Sequence, residues 1–234
     1  MKSVRYSFLF LVCCLQSFAV NGQRYAINTD LGVFAGTSYY LGDINPRRQF
    51  YSPGLSFGAL LKHNISPHHT LRVNAYYGQF AGNDLDFKND YQQFRAGKFE
   101  TSLVDAHIGY EFNFLPYLST REHPNAHSPF LFFGIGYSLV VSSTVDDISN
   151  GYLNIPFGVG YKYRFNPAIS AGAEWGMRKT FADDMDGVAN PGITGSYNFL
   201  HNNDWCSYVG IFITFRIFEQ SFSCPAYKQP IVYK

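Results

Sequence analysis

Ten charged residues stand at alternate positions within runs that are otherwise apolar or small: Asp30, Lys62, Arg72, Asp105, Glu111, Lys162, Arg164, Glu174, Arg178 and Arg216. Six are cations and four are carboxylates. Residues two apart on a strand share a face, so these charges gather on one side of each run. Charges gathered away from water must pair and hydrogen-bond, because an isolated buried charge is strongly unfavourable. The chemistry open to such a set is a proton or ion path, an acid–base site, or mutual neutralisation. Asp105 and His107 share a face and could form the carboxylate–imidazole half of a nucleophile system, but no matching Ser stands out. His107 therefore reads as a structural histidine in a polar filling. Asp183, Asp184 and Asp186 could offer oxygen ligands to a divalent cation, yet they lack a full calcium-loop pattern and read as solvated loop carboxylates. The sequence contains no Gly-rich phosphate loop, no metal-spaced Cys/His set and no Ser–His–Asp arrangement of any specificity. The expectation is a non-enzyme with no catalytic residue, no cofactor and no metal.

The elements that must position these charges are strands. Ile155 to Thr180 sets the pattern, two alternating runs joined at Asn166-Pro167. Ile155, Phe157, Val159, Tyr161, Tyr163 and Phe165 share one face. Gly158, Gly160, Lys162 and Arg164 share the other. After the turn, Ile169, Ala171, Ala173, Trp175 and Met177 oppose Ser170, Gly172, Glu174, Gly176 and Arg178. Each run exceeds the usual strand of about 5–6 residues. The same two-faced pattern recurs from Tyr25 to Thr37, Gly54 to Ile65, Leu71 to Phe80, Thr101 to Phe114, Phe130 to Val140 and Trp205 to Phe218. Eight long runs with an apolar face fit an eight-stranded, antiparallel, up-and-down transmembrane β-barrel, in which about 9–11 tilted residues cross the bilayer. A barrel of eight strands is only wide enough for side chains to fill, so the ten charges predict a salt-bridged plug and not an open pore.

Connection lengths set the orientation. Ser66-Pro67-His68-His69 and Asn166-Pro167 are short, while the connections after the first, third, fifth and seventh runs are long. Outer-membrane barrels place short turns in the periplasm. Phe114 to Ser128 breaks the rule: a long polar excursion on the periplasmic side, containing Arg121, Glu122 and His123. Arg121 and Glu122 there, and Tyr227 near the end of the chain, are candidate partner contacts. Aromatics near run ends (Tyr25, Tyr39, Tyr40, Phe99, Tyr117, Phe165, Phe181, Trp205 and Phe218) predict rings at the membrane–water interfaces.

Composition agrees with this class. Charged residues are 15% and aromatics 18%, with 21 Gly, 18 Tyr and 23 Phe, against roughly 25% charge in soluble domains. Lys2 and Arg5 followed by apolar Phe8 to Val20 read as a secretory signal cleaved before Gln23. Its removal takes the formal net charge from +1 to −1. Neither value suggests a nucleic-acid partner, and no small-molecule substrate is identified. Outside the signal the cysteines are Cys206 and Cys224, expected at opposite membrane faces and unpaired. The expected order is signal peptide 1–22, outer-membrane barrel 23–218 and periplasmic tail 219–234.

Several segments occur together: Tyr39-Tyr40-Leu41-Gly42-Asp43, Gly97-Lys98-Phe99-Glu100, Glu111-Phe112-Asn113-Phe114-Leu115-Pro116-Tyr117, Pro129 to Gly136, Ile155-Pro156-Phe157-Gly158, Glu174 to Phe181 and Asn202-Asn203-Asp204-Trp205. This set, in this order over nearly the whole mature chain, resembles a Bacteroidota family of outer-membrane barrels, once catalogued only as a domain of unknown function, that includes PorG-like proteins. The resemblance implies a structural role in the type IX secretion system, with the barrel anchoring or positioning a periplasmic ring of PorK/PorN-like proteins. Cys206 after Trp205, and the tail with Cys224, are the departures. The rival expectations are a general OmpA/OmpW-like anchor or adhesion barrel acting through its outer loops, an outer-membrane enzyme acting on lipid, and a pore.

Overall fold

The computed structural model describes residues 27–42, 44–45, 48–117, 126–145, 149–181 and 204–220. The signal segment, Tyr25, Arg121, Glu122, Asp183, Asp184, Asp186, Cys224, Tyr227 and the tail beyond Gln220 lie outside these residues. Eight strands follow one another: β1 (Ile27–Leu41), β2 (Gly54–Asn64), β3 (His69–Asn83), β4 (Lys98–Asn113), β5 (His127–Ser143), β6 (Gly151–Arg164), β7 (Ile169–Thr180) and β8 (Trp205–Gln220). Each pairs antiparallel with its chain neighbour, and β1 pairs with β8, so the sheet closes into a barrel without an edge. Closure gives every strand two ladder partners, which satisfies backbone groups that could not otherwise leave water. The β5–β6 ladder skips from Phe133↔Phe157 to Gly136↔Asn154. The gap falls at Pro156, which has no N–H to give.

The sidedness is the reverse of a water-soluble barrel. Val33, Ile108, Ile135 and Ile211 point outward and are 61%, 68%, 69% and 63% exposed. Inside lie Arg72, Asp105, Glu111, Arg164 and Arg178, all buried. The inner face is not only polar. Phe34, Leu60, Tyr76, Phe130, Phe132, Tyr208 and Phe212 fill it between the charges. Glycines make room for these rings. Gly158 and Gly176 are register partners, and a Cβ on either would come within 2.7 Å of Phe132 Cζ.

The long-loop end is a built cap. A single 3₁₀ turn at Asp84–Asp86 and a short helix α1 (Asp90–Arg95) form the β3–β4 connection. Buried Asp84 accepts Arg95 Nε at 2.5 Å, Arg95 Nη2 at 2.7 Å and the Gly97 N–H at 3.0 Å. The Tyr51 hydroxyl donates to Asp86 at 2.5 Å and ties the β1–β2 connection to it. Burial and that carboxylate push the Tyr51 phenol up to about 12, so it remains a donor at neutral pH. Below the cap, Tyr40, Ile44, Phe80, Phe87, Phe99, Leu103 and Tyr152 belong to one buried cluster.

This cap corrects part of the expected aromatic girdle. Phe165 and Phe218 are exposed at the barrel rim, but Tyr39, Tyr40, Phe99 and Tyr117 are buried. The strands run beyond the apolar belt, so Tyr40 and Phe99 meet edge-to-face inside the cap, 4.9 Å between centroids. Outside the wall, Tyr39 lies beside Phe50, 4.9 Å between centroids, and accepts from Trp175 Nε1 at 3.1 Å.

Candidate functional site

Alternation along each strand delivers the charges to the lumen, and closure brings together charges from distant strands. Glu111 on β4 receives Lys162 Nζ from β6 at 2.6 Å and Arg72 Nη1 from β3 at 3.3 Å. Lys62 Nζ from β2 stands 3.0 Å from the same carboxylate, without the alignment of a hydrogen bond. Glu174 on β7 accepts Arg72 Nη2 at 3.0 and 2.9 Å, one bond to each oxygen, and the Tyr76 hydroxyl at 2.7 Å. Arg72 thus joins the two carboxylates into one network across the barrel. Glu174 and Arg178, four apart on β7, do not meet: Arg178 Nε instead donates to Asp105 at 3.2 Å.

Asp105 is the centre of a second cluster nearer the cap. Its carboxylate accepts from Ser138 Oγ at 3.0 Å, Asn154 Nδ2 at 2.7 Å and Arg178 Nε at 3.2 Å. His107 Nδ1 lies 3.2 Å from it, and His107 Nε2 lies 3.0 Å from the Asn74 amide. The nearby hydroxyl, Ser138, serves the carboxylate and not the imidazole. The geometry holds the aspartate in place and builds no nucleophile–base pair.

The short-turn mouth carries the third group. Asp30 accepts from Asn64 Nδ2 at 2.8 Å and lies 3.6 Å from Arg164 Nη2 and 3.7 Å from Arg216 Nε. Arg216 is the outermost of the ten and gives Nη1 to Glu219 at 3.0 Å. The excursion that leaves β4 returns Tyr117 to this mouth, where its N–H donates to Pro67 at 2.9 Å.

Six cations face four carboxylates, and aromatic faces supply the balance. Lys62 Nζ lies 4.0 Å from the Phe212 ring centroid, and Arg72 Cζ lies 4.1 Å from Phe132. Lys162 and Arg164 lie 4.0 and 4.3 Å from Tyr117, and Arg178 lies 4.2 Å from Tyr208. Desolvated cation–ring contacts are worth up to about 2 kcal/mol each. Sequence reasoning named the charges and put Asn74 and Ser138 on the face they share, but it missed these rings and Asn154 and gave neither Asn74 nor Ser138 a partner's role. The available signal was parity: Phe34, Tyr76, Phe130, Phe132, Tyr208 and Phe212 occupy the same alternate positions as the charges.

Tyr76 gives a local test. Tyr76→Phe keeps the ring and removes the hydroxyl between Glu174 and Arg72. The expected cost is about 1–3 kcal/mol for a buried bond to a charged group. It is read as a shift of the unfolding midpoint in detergent, and no shift would show that Arg72 alone holds Glu174.

Three comparisons bear on this barrel. The family described as Domain of unknown function (DUF6089) matches residues 5–226. No curated protein matches the sequence. Among solved structures, neisserial surface protein A is 10% identical with a TM-score of 0.48, covering 82% of this chain and 99% of that one. A major outer membrane protein from Thermus thermophilus is 14% identical with a TM-score of 0.41, covering 82% and 100%. Ail, the attachment invasion locus protein of Yersinia pestis, is 10% identical with a TM-score of 0.40, covering 82% and 98%. Every one of these scores is below 0.5, so no role passes from them to this chain. The strand pairing itself establishes the closed barrel.

Proposed function

The chain belongs to the family described as Domain of unknown function (DUF6089), and from the geometry of its barrel we propose a non-enzymatic structural component of the bacterial outer membrane. The observation that carries this reading is the reversed sidedness. A belt of outward Val, Ile, Leu and Phe surrounds a lumen of paired charges and rings. Apolar surface of that extent is unfavourable in water and favourable against lipid. A lumen packed with side chains suits an anchor better than a pore.

The finer reading is that the barrel anchors or positions a periplasmic ring of the type IX secretion system, of the PorK/PorN-like kind. Its support is the family resemblance of the ordered segments and the excursion between β4 and β5, at the end where the other connections are short. Tyr117, whose N–H donates to Pro67 on the neighbouring short turn, fixes the start of that excursion at the mouth. The second reading is a barrel that acts through its outer loops. It is favoured by α1, whose Phe94 and Tyr91 are 91% and 68% exposed.

Photo-reactive residues at Arg121 and Tyr227, and separately at Asp184 and Phe94, distinguish the two in intact outer membranes. Capture of a periplasmic ring lipoprotein from Arg121 or Tyr227 is the result expected of the ring anchor. Capture of external ligands from Asp184 or Phe94, with none from the periplasmic sites, would replace it with the surface-loop reading.

A further inference from the structure

The short-turn mouth holds more cation donors than acceptors. Arg164 is 1% exposed. Its Nε donates to Ser170 Oγ at 3.3 Å, while Nη1 and Nη2 are buried beside the Tyr117 hydroxyl without an aligned hydrogen bond. Arg216, two strands away, gives Nη1 to Glu219, while its Nε and Nη2 are buried without one. Four guanidinium nitrogens from two arginines therefore lie at one mouth without an aligned hydrogen bond among the described residues. Asp30 lies between the two arginines at 3.6 and 3.7 Å, beyond the range of an N–H···O bond. Glu111, the next carboxylate inward, is already shared by Lys62, Arg72 and Lys162. The Tyr117 ring covers Arg164 and Lys162.

We propose that this mouth binds an oxyanion of the phosphate class between Arg164 and Arg216, with the Tyr117 ring as the lid that moves aside when it enters. A guanidinium is always charged and presents paired N–H donors that match such oxygens two at a time. Two arginines with two unused nitrogens each call for at least four acceptor positions, which a tetrahedral anion supplies more fully than a carboxylate. Asp30 and Glu219 are the negative groups the anion must approach: Arg164 Nη2 and Arg216 Nε face Asp30, and Arg216 Nη1 serves Glu219. The anion therefore bridges Arg164 Nη1 and Arg216 Nη2, which carry four N–H groups between them. Free phosphate and a lipid headgroup offer the same chemistry. The proposal is independent of the secretion reading, since it concerns the mouth and not the machine beyond it.

The test is calorimetric titration of the full-length protein, folded in detergent, with inorganic phosphate. Saturable binding is expected in the native protein. Tyr117→Ala should tighten it by about three- to tenfold, because the competing ring–cation contacts are gone. Arg164→Gln and Arg216→Gln should each weaken it by about tenfold or more, the worth of a charge-assisted bond. Heat-dependent gel mobility scores whether each variant keeps its barrel. Where a Gln variant fails that check, Arg164→Lys or Arg216→Lys keeps the charge, loses the fork and should still weaken binding. Competition by phosphatidylglycerol nanodiscs would identify a headgroup as the source, and its absence would identify the free anion. No saturable binding in the native protein and in Tyr117→Ala, or an affinity indifferent to both arginines, overturns the site.

Discussion

Glu111→Ala should destabilise the barrel by about 3–5 kcal/mol, the cost of removing one partner from a buried ion pair. The physical reason is concentration of charge on one acceptor. Lys162 at 2.6 Å, Lys62 at 3.0 Å and Arg72 at 3.3 Å all use this carboxylate. Arg72 retains Glu174, but Lys62 and Lys162 are left with ring faces alone. Cation–π contacts of up to about 2 kcal/mol do not offset the desolvation of two buried ammonium groups. Denaturant unfolding of the detergent-folded protein, followed by the fluorescence of Trp175 and Trp205, reads the change. The double variant Glu111→Leu/Lys162→Met should recover part of the loss, because apolar groups of similar size replace a buried pair at little net cost. A loss below about 1 kcal/mol in the single variant would mean that the rings and not the carboxylate hold these cations.

The strands were legible because a two-sided wall imposes a period of two over long runs. Gly54 as the start of β2, Ile169–Thr180 as β7 and Trp205 as the start of β8 can be read directly from alternation. Other ends shift by a few residues: β3 extends to Asn83 and β4 begins at Lys98, because those strands continue past the lipid belt into the cap. The same extension explains why Tyr40 and Phe99 mislead at this end, since a ring at a strand end points inward or outward by parity and not by depth. Parity also carries the inward direction of Arg72, Glu111 and Glu174. It cannot tell which of them meet. Arg72 and Glu174 are 102 positions apart, and their pairing depends on strand stagger and tilt, which no local pattern encodes. Inward rings such as Phe132 and Phe212 stay hidden for a related reason. In a membrane barrel both faces accept apolar side chains, so hydrophobicity alone does not assign a face.

Ile135→Arg should cost about 2–4 kcal/mol when the barrel is folded into a bilayer, the penalty for a cation at mid-membrane on the lipid face. Ile135 is at the middle of β5, pairs with Ile108 on β4 and is 69% exposed. For a water-soluble barrel the same exposure predicts the opposite, since surface substitutions away from special features fall within about 0.5 kcal/mol. One substitution thus separates the two environments. Phe165→Arg supplies the depth control. Phe165 follows β6 at the short-turn rim and is 58% exposed, where the cost near the interface should fall to about 0–1 kcal/mol. Reversible unfolding from liposomes measures both. A gradient from Ile135 to Phe165 is the mark of lipid, because only a slab of hydrocarbon makes the penalty depend on depth. Equal and small costs at the two sites would remove the membrane from the argument, and with it the outer-membrane anchor proposed for this barrel.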